Sequence, residues 1–155
     1  VDTYDFDKKR SEKVLCRYSG YGAVNAKTFG SSGLHDFDVG IWFTTNRTIA
    51  RYNKVYRHKS GPTDILSFSY HSTIKAGQKI VPQNPDDKNL GDIIISLEYI
   101  HTHKQWKDIE NSQRLKILLV HGLCHLIGYD HENDNDYAIM ERKEQALLML
   151  CKESS

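Results

Sequence analysis

The sequence is poor in the features that mark several classes of protein. It holds three cysteines in 155 residues, Cys16, Cys124 and Cys151. Their number is odd and no two stand as a C-x-x-C pair, so no disulfide framework is implied, and a reducing compartment is the modest expectation. No apolar run approaches the ~20 residues of a membrane span. No apolar stretch follows the N-terminus as a secretory signal requires. The expectation is therefore a chain with no membrane partner, not secreted, residing in the cytoplasm or an organelle (mitochondrion or plastid). Neither sign of charge dominates: 21 Lys and Arg against 20 Asp and Glu leave a net charge of +1. A globally basic nucleic-acid binder is excluded, and any anionic partner must be held by a local patch.

What is present is an ordinary globular composition, 39% hydrophobic and 26% charged, which excludes a disordered or collagenous chain. The length fits a single domain over residues 1–155 with a real core. Residues 7–27 mix charges with Val14, Leu15 and Tyr18 and read as a helix, weakened by Gly20 and Gly22. Val39, Ile41 and Phe43 alternate as in a strand. Residues 47–56 read as a helix capped within Thr44-Thr45-Asn46, and residues 64–70 as a second strand. Residues 71–89 contain Gly77, Pro82 and Pro85 without a clear period, which predicts an irregular surface loop inserted in the domain. Gly91 to Ser96 reads as a short buried strand, with a helix starting near Leu97. A helix capped by Asn111 or Ser112 is predicted to run to about Ile127, with Gly128 just past its end. A final helix is capped within residues 133–136, with Met140, Leu147, Leu148 and Cys151 on its apolar face. The fold class expected is α+β, a small mixed sheet packed by helices.

Histidine is the informative residue. Eight are present, and three stand in one string, His121-x-x-x-His125-x-x-Gly128-x-x-His131. Residues four apart share a helix face, with Cβ atoms about 5–6 Å apart. Zn–N bonds of about 2.0–2.1 Å let two such imidazoles meet one ion. Gly128 ends the helix and allows His131 to swing back as a third ligand. At 100° per residue, Cys124 points away from the midline of the two helical histidines and reads as a core residue. Three ligands leave one position for water, the arrangement of catalytic rather than structural zinc. Zn2+, or another divalent transition metal, is the expected cofactor.

An open site of this kind suggests hydrolysis, because the metal lowers the pKa of its water to about 7. The spacing copies the long metzincin pattern, and Met140 could stand for its Met-turn, but the general-base Glu that follows the first His in zinc proteases is here Gly122. A peptidase would lack its proton acceptor. A phosphodiester needs that base less, since the main demand is neutralising charge on phosphorus. A basic patch is available: Arg47, Arg51, Lys54, Arg57 and Lys59, with His58, occupy residues 46–63 without one acid. Arg47, Arg51 and Lys54 follow i, i+4, i+7 spacing along one helix face and are candidates for phosphate contacts that position a nucleic acid without reading its sequence. Arg57, at the entry to Pro62-Thr63-Asp64, is the candidate for a bidentate phosphate clamp.

These residues, taken together, resemble the YbeY endoribonuclease family. The strings are Asn53-x-x-Tyr56-Arg57; Pro62-Thr63-Asp64-Ile65-Leu66-Ser67-Phe68; Gly91-Asp92-Ile93; His121-Gly122-x-x-His125-Leu126-x-Gly128-Tyr129-Asp130-His131; and Met140-x-x-x-Glu144. They cover roughly residues 38–150. The resemblance implies an α+β fold and a metal-dependent, single-strand-specific endoribonuclease of ribosomal RNA maturation and ribosome quality control. It implies that His121, His125 and His131 hold the metal, usually zinc, and that Arg57 is the functionally important arginine. The partners implied are single-stranded or ribosomal RNA and the ribosome or its small subunit. The first third of the chain carries none of these strings and is assigned no function.

Two competing readings stand beside this one, a zinc peptidase and a ribosome-associated RNA-binding module whose metal is only structural. Asp130, Glu132, Asp134 and Asp136 alternate as in a calcium loop, but the Gly and terminal Glu of an EF-hand are missing at their offsets. Asp64 and Asp92 read as structural residues. His35, His58, His71, His101 and His103 have no matched spacing and read as surface residues.

Overall fold

The computed structural model describes residues 14–17, 34 and 36–153. A four-stranded mixed sheet runs in the order β1-β2-β4-β3, formed by β1 (Val14–Arg17), β2 (Asp38–Thr44), β3 (Ile65–Ser69) and β4 (Asn89–Ser96). The helices are α1 (Asn46–Arg57), α2 (Leu97–Thr102), α3 (Asn111–Leu126) and α4 (Asp134–Glu153). β2 and β4 are parallel, with Ile41 opposite Ile93. β3 is antiparallel to β4, with Ser67 opposite Ile93, and forms one edge.

The Ile93-Ile94-Ile95 run is fully buried because the sheet is covered on both faces, which removes the need for polar alternation in a central strand. Successive side chains point to opposite faces. Ile93 and Ile95 pack with Val39, Leu118, Leu123, Leu126, Met140 and Leu147 beneath α3 and α4. Ile94 faces the other way, with Leu66, Phe68 and Ile49 of α1. Burying each such side chain contributes about 1.5–3 kcal/mol before the entropy of ordering it is subtracted. On β3 the same period turns Leu66 and Phe68 toward α1 and leaves Ile65, Ser67 and Ser69 facing α3. The Ser69 hydroxyl donates to the Leu126 carbonyl at 2.9 Å.

Three predicted elements differ. Within the segment read as a helix, residues 14–17 form a strand; the rest of that segment lies outside the described residues. Val14 and Cys16 pair with Ile41 and Val39, so a neighbouring strand edge outweighs a weak local helix preference. Asn111 is the first residue of α3 rather than its cap, and Glu110 at the cap position makes no side-chain cap bond. The preceding turn is held by Arg114, a buried guanidinium that donates to the carbonyls of Ile109, Ile100 and Lys107. The link between β3 and β4 is irregular as predicted, apart from one 3-10 turn at Pro85–Asp87, but it does not stand off the surface. Ile80 belongs to the main core, and half-buried His71 donates from Nε2 to the Asp87 carbonyl at 2.9 Å. Among the described residues no helix is long and apolar enough to cross a membrane.

Candidate metal centre

The C-terminal half of α3 carries His121 and His125 one turn apart. Beyond Leu126 the helix ends as a glycine stop requires. The Gly128 N–H returns to the His125 carbonyl and the Tyr129 N–H to the Cys124 carbonyl, with Gly128 at φ +92°. This left-handed residue reverses the chain and brings His131 back over the helix. Ligand atoms of the three imidazoles then lie within 4.8 Å of one another. Among the described residues no other His, Cys, Asp or Glu joins them.

The ring orientations are decided by hydrogen bonds on the far side of the cluster. Nδ1 of His121 lies 2.6 Å from Oε1 of Glu144 on α4, and Nδ1 of His125 lies 3.0 Å from the Tyr129 carbonyl. Both acceptors are oxygens without a proton to give, so both Nδ1 atoms carry the hydrogen and both Nε2 lone pairs face inward. The two Nε2 atoms are 3.2 Å apart. Tetrahedral zinc with bonds of about 2.0–2.1 Å separates its nitrogens by about 3.3 Å. The donor set therefore fits a borderline-soft divalent ion. Carboxylate and carbonyl partners behind ligating imidazoles are the usual means of fixing tautomer and basicity. In the sequence Glu144 stands out only as the last residue of Met140-x-x-x-Glu144. Its signal is that it stands one turn beyond a buried methionine, so a helix that buries Met140 turns Glu144 toward α3.

Burial, then the nearby His121 and His131, push His125 down to about 4. The imidazole stays neutral, and so able to ligate, through mildly acidic solution. His121 and His125 are half-buried and His131 is exposed, so the cluster opens to solvent on one side. Cys124 is completely buried, and burial with Glu144 nearby pushes its thiol up to about 12. It is an uncharged core residue, not a thiolate that could close the site.

Gly122, where a zinc peptidase carries glutamate, faces the sheet. A Cβ there would meet Ile93 Cδ1 at 2.9 Å, Ile65 Cδ1 at 3.0 Å and Ser67 Oγ at 3.1 Å. The missing base has no room. Met140 lies in the middle of α4 with 1% exposure, so it is not the counterpart of a Met-turn.

Ser67 links the cluster to the basic helix. Its hydroxyl lies against Gly122, next to His121, while its carbonyl accepts a 2.7 Å bond from Nη2 of Arg57. The Arg57 guanidinium also lies 5.1 Å from the centre of the Phe68 ring. It is exposed, so one backbone bond and an aromatic face hold it against β3, and a guanidinium has five N–H groups to offer. Arg47, Arg51 and Lys54 are exposed on α1. Asp64 caps the start of β3, accepting from the Ile65 N–H at 2.9 Å, as a structural residue would. His58 ends α1 at φ 55°, and His103 stacks on Tyr99. His35 lies outside the described residues.

An α+β protein with an open three-histidine cluster, and an edge strand to which a helical arginine donates, is the class that fold and site define. The family model described as "Endoribonuclease YbeY" matches residues 10–152, and the chain belongs to the YbeY endoribonuclease family. It is 42% identical over 117 residues to the human protein named "Endoribonuclease YbeY", covering 75% of this chain and 69% of that one. Identity to the protein of that name from Petrotoga mobilis is 38% over 125 residues, 78% of this chain and 76% of the relative. For the Sulfurihydrogenibium protein of that name the figures are 36% over 118 residues, 76% and 72%.

Proposed function

We propose that this single-domain protein is a zinc-dependent endoribonuclease that cuts single-stranded ribosomal RNA during maturation, with the ribosome or its small subunit as partner. The observation that carries the reading is the pair of inward-facing Nε2 atoms 3.2 Å apart, each fixed by a partner on its far side, with His131 adjacent. His121, His125 and His131 would hold the ion; when bound, it supplies Lewis acidity and positive charge at the scissile phosphate. Glu144 and the Tyr129 carbonyl hold the imidazole protons at Nδ1. Arg57 stabilises charge developing on phosphate oxygens, and Arg47, Arg51 and Lys54 position the strand. The location is a reducing one, cytoplasm or organelle.

The deciding experiment supplies labelled single-stranded RNA and an unstructured peptide in parallel, before and after chelation, to the wild type and to His125→Ala. The expected result is RNA nicking that chelation and the substitution both abolish, with the variant still folded by circular dichroism and the peptide untouched. Peptide cleavage lost in His125→Ala, with RNA intact throughout, would replace the nuclease by a peptidase. An unfolded variant and no turnover by wild type would leave a structural metal.

A further inference from the structure

The segment between β3 and β4 presses on the turn that shapes the metal centre. A Cβ on Gly128 would meet the Ile74 carbonyl oxygen at 2.6 Å and the Lys75 carbonyl carbon at 2.8 Å, so backbone lies directly on backbone. One residue on, Tyr129 and Ile74 both pack on the main core, and the Gly77 backbone lies near enough to the Tyr129 hydroxyl to oppose the upward push that burial gives its pKa.

The segment is itself braced. Gln78 N–H donates to the Lys75 carbonyl at 2.9 Å and Ile74 N–H to the His71 carbonyl at 3.0 Å. Lys75 N–H donates to Gln78 Oε1 at 3.2 Å, and Ile80 is buried. The Tyr129 whose side chain packs there is the residue whose carbonyl receives the His125 Nδ1 proton.

We propose that residues 74–77 form a strap that positions the metal centre, holding the Gly128-Tyr129 turn so that the Tyr129 carbonyl keeps the His125 proton on Nδ1 and its Nε2 available to the ion. The inference rests on the reading of the three histidines as a metal site. Ile74 and Tyr129 are positioning residues: neither touches ion or RNA. A neutral imidazole that loses its Nδ1 acceptor populates both tautomers, and only one presents Nε2 to the ion. Direct partners of ligating residues alter metal affinity by about 10–100-fold. A strap acting through one such partner falls at the lower end of that range.

The test uses the whole chain and four proteins: wild type, Tyr129→Phe, Ile74→Ala and, as control, Val81→Ser at an exposed position of the same segment. Ring-nitrogen NMR of the metal-free proteins reads the His125 tautomer, and competition with a zinc-binding dye reads affinity. Wild type and Val81→Ser should show the Nδ1–H form alone and equal affinity. Tyr129→Phe, which keeps the ring and removes only the hydroxyl, and Ile74→Ala should show mixed tautomers and zinc binding weaker by about tenfold. Should Ile74→Ala fail to fold, Ile74→Val takes its place. Unchanged tautomer and affinity in both folded variants overturn the strap while leaving the metal site standing. Absence of zinc binding by wild type overturns both.

Discussion

The Glu144 carboxylate on α4 meets the Nδ1 proton of His121 on α3 at 2.6 Å, and this contact between two helices sets one corner of the candidate metal centre. Truncation to Glu144→Ala should leave the chain folded, because both side chains are partly exposed. Zinc affinity should fall by about 10–100-fold, read by competition titration. Wild-type affinity in the variant would mean that His121 is oriented by packing alone.

Gly122 accounts for the missing protease base in steric terms. Restoring it as Gly122→Glu should yield no peptidase activity. Even Gly122→Ala should lower stability by about 1–3 kcal/mol through overpacking, since its Cβ lands 2.9 Å from Ile93 Cδ1. A denaturant midpoint equal to wild type would show that the sheet yields more easily than its buried isoleucines imply.

The pH response of the metal-free protein follows from His125, pushed down to about 4 by burial and by its neighbouring histidines. Its unfolded value is about 6.5. Between these values the unfolded chain binds a proton that the folded one refuses, so stability falls as pH drops through that window and is unaffected by this group above it. Urea midpoints of metal-free protein should decline from pH 6.5 toward 4. The decline should be shallower in His125→Ala, and parallel curves would remove His125 as its source.

Arg57 should matter to RNA and not to the ion. Arg57→Lys keeps the charge and loses the planar fork, so cleavage of single-stranded RNA should fall by about 100-fold, as when one preorganised donor is removed. Zinc content by elemental analysis should stay at the wild-type level. Metal loss in step with activity would place Arg57 among the supports of the cluster instead.

Arg47, Arg51 and Lys54 share an exposed face of α1. If each neutralises one phosphate, the triple alanine variant should flatten the slope of log affinity against log salt by about 2 units for single-stranded RNA. An unchanged slope would assign them to a solvated surface.

Much of this protein was legible in one dimension because its signals are local. The i, i+4 pair of His121 and His125, the helix stop at Gly128 and the return of His131 lie within eleven residues, so helix geometry alone brings them together. The Thr45 cap, the α1 helix and the alternation of β2 were readable for the same reason, as was Cys124 as a core residue. The strand at Val14–Arg17 was not, since its ladder partner is β2 and a short mixed segment has no strong period of its own.

Sequence alone determined that the three histidines gather and which glycine folds the chain back, because those depend on spacing along one helix and its end. Only the tertiary structure decided what stands behind His121 and His125: Glu144 from another helix and the Tyr129 carbonyl. It likewise decided that Arg57 donates to the Ser67 carbonyl of the strand that packs against α3 and that Gly122 is closed by Ile65 and Ile93. These are meetings of groups from separate elements, set by how the sheet and helices pack, and no local periodicity encodes them.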